Sequence, residues 1–176
     1  ISNAIVASAL VASGPIVING EQDVVISGLH ITNPNGTCIK VLNGSTNIVI
    51  ENSEIGPCGR GDIDRSGFGI LIRDGDPVSH VTIRNNYIHD TFHHGIWSDR
   101  ADHITVDRNV FINVWSAYEG WSTNGNISFT NNFVKNLAPD GDGSINGPRG
   151  SANVAQLAYV KGPNIRITDN VAINEP

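Results

Sequence analysis

Residues 81–88 read VTIRNNYI, residues 104–111 ITVDRNVF and residues 127–134 ISFTNNFV. In each, apolar side chains alternate with polar ones, a polar bend holding Asn follows, and a second short apolar stretch closes the unit. That is the pattern of two brief strands joined by a corner. Working outward, the template recurs as IRITDNVA at 165–172, IVIENSEI at 48–55 and VVISGLHI at 24–31. The six starts lie 24, 33, 23, 23 and 38 residues apart. A unit of about 23 residues, twice lengthened by insertion, predicts a solenoid in which each turn of chain stacks on the one before. Asn86, Asn109, Asn132 and Asn170 all stand at the sixth place of their units. Asn accepts the left-handed backbone of a sharp corner, and its amide can bond to the same residue one layer away, so the column predicts a buried ladder. Independent loops would have no reason to keep this register.

With those units and their bend asparagines in place, the chain resembles the right-handed parallel β-helix proteins of the pectate-lyase-like superfamily. The resemblance runs from Val24 to Ala172. It implies an all-β, single-stranded parallel β-helix of about six to seven coils, and it leaves the activity open. The superfamily includes lyases, hydrolases, epimerases, phage tailspikes and non-catalytic surface proteins.

Composition fits one folded domain spanning residues 1–176, with 39% apolar residues. A net charge of −6 with only 11 Lys and Arg argues against a nucleic-acid partner. No apolar run is long enough to span a membrane. The absence of Met suggests a processed form or a fragment of a longer chain, and a removed secretory signal would explain it. Asn-x-Ser/Thr triplets at Asn35, Asn43 and Asn126 would permit glycosylation in a eukaryotic secretory route. No terminal helix caps the last coil, so a further segment or another molecule is expected to cover it. Cys38 and Cys58 fall in consecutive coils, whose strands lie about 4.8 Å apart, so a disulfide and two buried thiols are both open.

Each coil is expected to carry a third strand after the template, eight residues on in the first and third coils (Ile31 to Ile39, Ile88 to Ile96) and further on in the second and fifth, where insertions lengthen the corner. Ile39/Val41, Ile70/Ile72, Ile96/Ser98 and Leu157/Tyr159 form an expected inward column, with Lys40, Leu71, Trp97 and Ala158 pointing out. In the fourth coil the count lands on Glu119, which predicts either a buried acid or a strand shifted by one residue. Both principal insertions emerge at the corner before this strand. Its loops read GPCGRGDIDRSGFG, HDTFHHG, NVWSAYEG and KNLAPDGDGSINGPRGSANV, and four layers cover roughly 15 Å, enough to track about three sugars.

The chemistry gathers at that edge. His89, Asp90, His93 and His94 form the densest titratable cluster, the equipment of proton abstraction and donation near neutral pH, although a solvated corner also accommodates them. The adjacency of His93 and His94, without a third ligand at a familiar spacing, argues against zinc. Arg60, Arg65, Arg73, Arg100 and Arg149 could neutralise a sugar carboxylate before its neighbouring proton is removed, or pair with Asp62, Asp64, Asp74 and Asp99. Trp97, Trp115, Tyr118 and Trp121, with Asp99 and Arg149, are the expected substrate-binding set, since exposed aromatic faces stack on sugars. Trp97, expected to point outward, leads it. Asp140, Asp142, Ser144 and Asn146 space oxygen donors as the start of a Ca2+ loop does, without the closing Glu.

These residues lead to an extracellular or cell-surface β-helix that binds an acidic polysaccharide and cleaves or epimerises it in a lateral groove. A His from 89 to 94 would be the base, with Arg65, Arg73 or Arg100 opposing the carboxylate. The polygalacturonase pattern of paired Asp with Gly-His-Gly is absent. The alternative is a non-catalytic adhesin, fibre or tailspike segment with end-to-end self-association.

Overall fold

The computed structural model describes residues 9–59, 66–73, 75–121, 125–137 and 156–173. Their strands form three sheets in which paired neighbours run parallel. Sheet 1 has seven strands, from Val11–Ser13 through Leu29–Asn33, Glu54–Cys58, Tyr87–His89, Val110–Val114 and Phe133–Leu137 to Val171–Ile173. Sheet 2 has six: Ile16–Asn19, Ile39–Leu42, Ile70–Arg73, Ile96–Asp99, Tyr118–Trp121 and Ala158–Val160. Sheet 3 has six as well: Val25–Ser27, Thr46–Glu51, Val78–Arg84, Ala101–Asp107, Gly125–Thr130 and Ile165–Thr168. Each turn contributes one strand to sheet 2, then to sheet 3, then to sheet 1.

Alternating β-branched residues build this prism because every second side chain points into it. Ile48, Val81, Ile104, Ile127 and Ile165 pair in one register column, and Ile31 and Ile55 with Ile88, Phe111 and Val134 in another. All but the last-turn Ile165 are buried. Each fully buried Ile or Phe is worth about 1.5–3 kcal/mol in apolar transfer. Tyr118 joins this core completely, its ring parallel to Phe129 at 6.0 Å and its hydroxyl 2.9 Å from Ser98 Oγ. That bond satisfies two polar atoms that the same column would otherwise strand.

Between sheets 3 and 1 the asparagine column forms its ladder. Asn86 Nδ2 donates to Asn109 Oδ1 at 3.0 Å, Asn109 Nδ2 to Asn132 Oδ1 at 3.1 Å, and Asn132 Nδ2 to Asn170 Oδ1 at 3.0 Å. Each amide also donates to a carbonyl of the turn above, as Asn109 Nδ2 does to Ile83 O at 2.9 Å. The Oδ1 atoms of Asn109, Asn132 and Asn170 each accept a backbone N–H besides, so the buried amides of Asn109 and Asn132 use both donors and both lone pairs. Ser53 occupies the place one turn earlier and hands its N–H to Asn86 Oδ1 at 3.1 Å.

Two sequence expectations need correction here. The left-handed residue of this corner is the one before the ladder residue: Gly28, Asn52, Asn85, Arg108, Asn131 and Asp169 all have positive φ. The ladder asparagines are chosen for their amides, and their predecessors supply the bend. In sheet 2, Tyr118 pairs with Ile96, and Ala158 with Tyr118. The fourth coil is therefore shifted by one residue, the second of the two readings its sequence allowed, with Tyr118 and not Glu119 inward. In the next coil Ala158 and Val160 follow the inward column, while Tyr159 stands beside Glu119 on the outer face. Cys38 and Cys58 are joined as a disulfide, buried, with Cα atoms 5.6 Å apart.

Candidate functional site

The corner from sheet 1 to sheet 2 is held by backbone bonds to the turns on either side. Phe92 N–H donates to Cys58 O at 2.8 Å and His93 N–H to Gly67 O at 3.0 Å, while Trp115 N–H donates to His93 O at 3.1 Å. Thr91 Oγ1 closes the turn on His93 O at 2.7 Å. His93 and His94 are thus carried by a corner fixed on both sides, and the two clusters of titratable groups diverge from it.

The first lies on the outer face of sheet 1. His89 Nδ1 is 2.8 Å from Asp90 Oδ2 and Nε2 is 3.1 Å from Glu54 Oε1, with the Tyr87 ring stacked at 4.3 Å. His30 Nε2 approaches the same Glu54 oxygen at 3.6 Å. Burial works to raise the Asp90 carboxyl, but hydrogen bonds from His89 and Asn113 and the His89 charge outweigh it and hold it below the ordinary range. Burial and the nearby Asp90 and Glu54 charges push the Tyr87 phenol up. Both ring nitrogens of His89 face carboxylates, which leaves neither open to a substrate. Gly56 is required beneath it: its φ is +139°, and a Cβ there would come within 2.0 Å of His89 O.

The second cluster lies on the outer face of sheet 2 and centres on Glu119. His94 Nε2 is 2.7 Å from Glu119 Oε2, and the indole N–H groups of Trp121 and Trp97 also donate to this carboxylate. Burial pulls the Glu119 carboxyl upward, yet the His94 bond and charge, with both indoles, hold it below its usual value. His94 is 5% exposed, and among the described residues its Nδ1 has no hydrogen-bond partner. His93, half-buried, stacks on Phe68 with centroids 4.2 Å apart.

Below and beside Glu119 the surface opens. Trp121 is 40% exposed, the Lys161 ammonium sits 3.9 Å from its ring centroid, and Tyr159 lies 5.7 Å away. Trp97 is the opposite case. It points away from the main core as expected but is only 8% exposed, packed with Phe68 and Leu71 in a satellite cluster, with the Arg73 guanidinium 5.3 Å over its ring. Its indole is a wall of the site and presents no open face to a sugar. Trp115 is likewise buried, and Tyr118 belongs to the interior, so neither contributes the exposed aromatic surface expected of it. Asp99 and Arg100 form a surface pair at 3.9 Å.

Arg60, Asp62, Asp64, Arg65, Asp74, Arg149 and the Ca2+ candidates Asp140, Asp142, Ser144 and Asn146 lie outside the described residues. Sequence reasoning met Glu119 as a counting anomaly and passed over Lys161. Their signal was the shifted register, which puts Glu119, Trp121, Tyr159 and Lys161 on the outer side of adjoining strands.

Three stacked parallel sheets, an internal amide ladder and a lateral polar and aromatic face define a β-solenoid. Residues 1–134 match the family described as the right handed beta helix region, and the chain belongs to it. No curated protein and no solved structure matches the chain. Among the described residues no helix is long and apolar enough to cross a membrane.

Proposed function

We propose that the protein binds an acidic polysaccharide along the outer face of sheet 2, in an extracellular setting. The observation that carries this reading is Trp121: an exposed indole whose N–H is tied to Glu119, itself tied to buried His94. A rigid aromatic face loses little entropy on stacking with a sugar ring. Lys161 on that ring and Arg73 on the same sheet supply cations for uronate carboxylates. The Cys38–Cys58 disulfide suits an oxidising compartment.

Processing of the bound chain falls in this reading to His93. It is the histidine of the corner that keeps some exposure, whereas His89 is enclosed by carboxylates and His94 is spent on Glu119. Arg73 would oppose the substrate carboxylate while His93 takes the adjacent carbon-bound proton. Titration with uronate oligomers, followed by calorimetry, tests the binding. Trp121→Ala is expected to lose affinity at least tenfold with an unchanged circular dichroism spectrum, while His93→Ala keeps binding and loses turnover. Equal affinity of Trp121→Ala and wild type, or no affinity in either, rejects the reading.

A further inference from the structure

Trp121 is 40% exposed, yet its ring is already in use. The Lys161 ammonium lies 3.9 Å from the indole centroid and 5.4 Å from that of Tyr159, whose ring is 5.7 Å from the indole and tilted 52° to it. The positive head therefore fills the notch between two aromatic rings, held there by their electron-rich faces. Two tilted rings with a gap between them suit a pyranose ring stacked on one wall with its substituents toward the other. The chain's own lysine stands where that sugar would go.

This lysine is fixed at its root and movable at its tip. Lys161 follows directly on the strand Ala158–Val160, and its N–H donates to Gly120 O at 3.1 Å, so the backbone keeps its place beside Trp121. Gly162 comes next with φ of +147°, a conformation that glycine alone adopts with ease, and turns the chain away. The Lys161 side chain is exposed, and exposed side chains change rotamer within nanoseconds. Trp121 has less freedom, because its indole N–H donates to Glu119 and buried His94 grips the same carboxylate. The ring is thus the wall of the notch and the cation its moving part.

We propose that Lys161 gates the notch between Trp121 and Tyr159 and thereby selects acidic over neutral sugars, an inference that rests on the saccharide reading of sheet 2 given above. Any sugar that stacks on the indole within the notch must first move the ammonium and forfeit its attraction to both rings. A neutral sugar offers only its own stacking in return. A uronate carboxylate accepts a charge-assisted hydrogen bond from the displaced ammonium, so the lysine leaves one attraction for a stronger one. The preference arises from two opposed effects at one residue, a cost common to every sugar and a gain confined to acids.

The test compares a galacturonate oligomer with the same oligomer carboxyl-reduced to its neutral form, by calorimetry on the whole chain. Lys161→Ala changes an exposed side chain, so the fold is retained, as circular dichroism will verify. Wild type is expected to bind the acidic oligomer about tenfold or more tighter than the neutral one. In Lys161→Ala the neutral oligomer should bind about threefold tighter than it does to wild type, since the notch stands open, while the acidic one weakens about tenfold. Lys161→Arg returns a cation to the rings and should keep the preference. Nuclear magnetic resonance reads the gate directly: the Lys161 Cε protons, shifted upfield by the indole ring current, should move to ordinary values on saturation with the acidic oligomer. Weaker acidic binding in Lys161→Ala without any gain for the neutral oligomer would overturn the gate, as would Lys161 protons that stay upfield at saturation, and either result leaves the saccharide face of sheet 2 standing. Wild type that binds neither oligomer overturns both together.

Discussion

The corner between sheets 3 and 1 places Asn86, Asn109, Asn132 and Asn170 on successive turns, whereas two places before the paired strands of sheet 2 the same turns carry Phe68, His94, Ser116 and Gln156. The first corner repeats because each amide bonds to its own kind, so a change at one level strands the level above. The second is held mainly by backbone bonds, with side-chain bonds that change from turn to turn, such as Thr91 Oγ1 to His93 O and Gln156 N–H to Ser116 Oγ, so its side chains differ. Repetition marks the part that stabilises the solenoid, and variation marks the part available for chemistry.

The sharpest way to break this comparison is Asn109→Ala. It removes the acceptor of both Asn86 N–H and Asn86 Nδ2, each buried. With about 1–3 kcal/mol for each stranded group, a loss of about 4 kcal/mol is expected, visible as a lower melting temperature. If Asn109→Ala melts like wild type, the ladder is not what holds the turns. Replacing Cys38 and Cys58 together by Ala should cost about 3 kcal/mol, since the bridge closes a loop between residues 20 apart. Denaturant unfolding of that variant beside the Asn109 variant orders the two contributions.

At the variable corner the expected effects are smaller and depend on pH. The Glu119 carboxyl is held below its ordinary value in the folded chain. Its contribution is therefore present above the unfolded-state value and is lost as pH falls through the folded one. Glu119→Gln should cost about 1 kcal/mol at neutral pH and nothing extra in acid, so melting curves of variant and wild type should converge as pH drops below about 4.5. Curves that stay parallel would show that the charge is not what His94 holds. Smallest in stability is Trp121→Ala, expected within about 0.5 kcal/mol of wild type because the side chain sits at the surface, while its effect on saccharide affinity is large.

Much of the fold was legible because strand alternation and the sixth-place asparagines are short-range signals that recur with one period. Less of the site was. An eight-residue count landed on Glu119 and left a buried acid and a strand shifted by one residue both open; the inward residue is Tyr118, and no local feature of Val114, Trp115 and Ser116 announces the shorter turn. Trp97 was correctly read as pointing away from the core, yet its burial comes from Phe68 and Leu71, which lie a whole turn away. His80 and His103 look unrelated in the chain and meet only because one turn separates them.

By itself the sequence determined that successive turns would stack, where their corners fall and which asparagines meet inside, because those follow from a repeat of hydrophobic alternation and amide placement. Only the tertiary structure decided which carboxylate each histidine meets, which tryptophan keeps an open face, and that two histidines share a surface. Those outcomes depend on neighbours one layer away, and a single residue more or less in a corner reassigns them all.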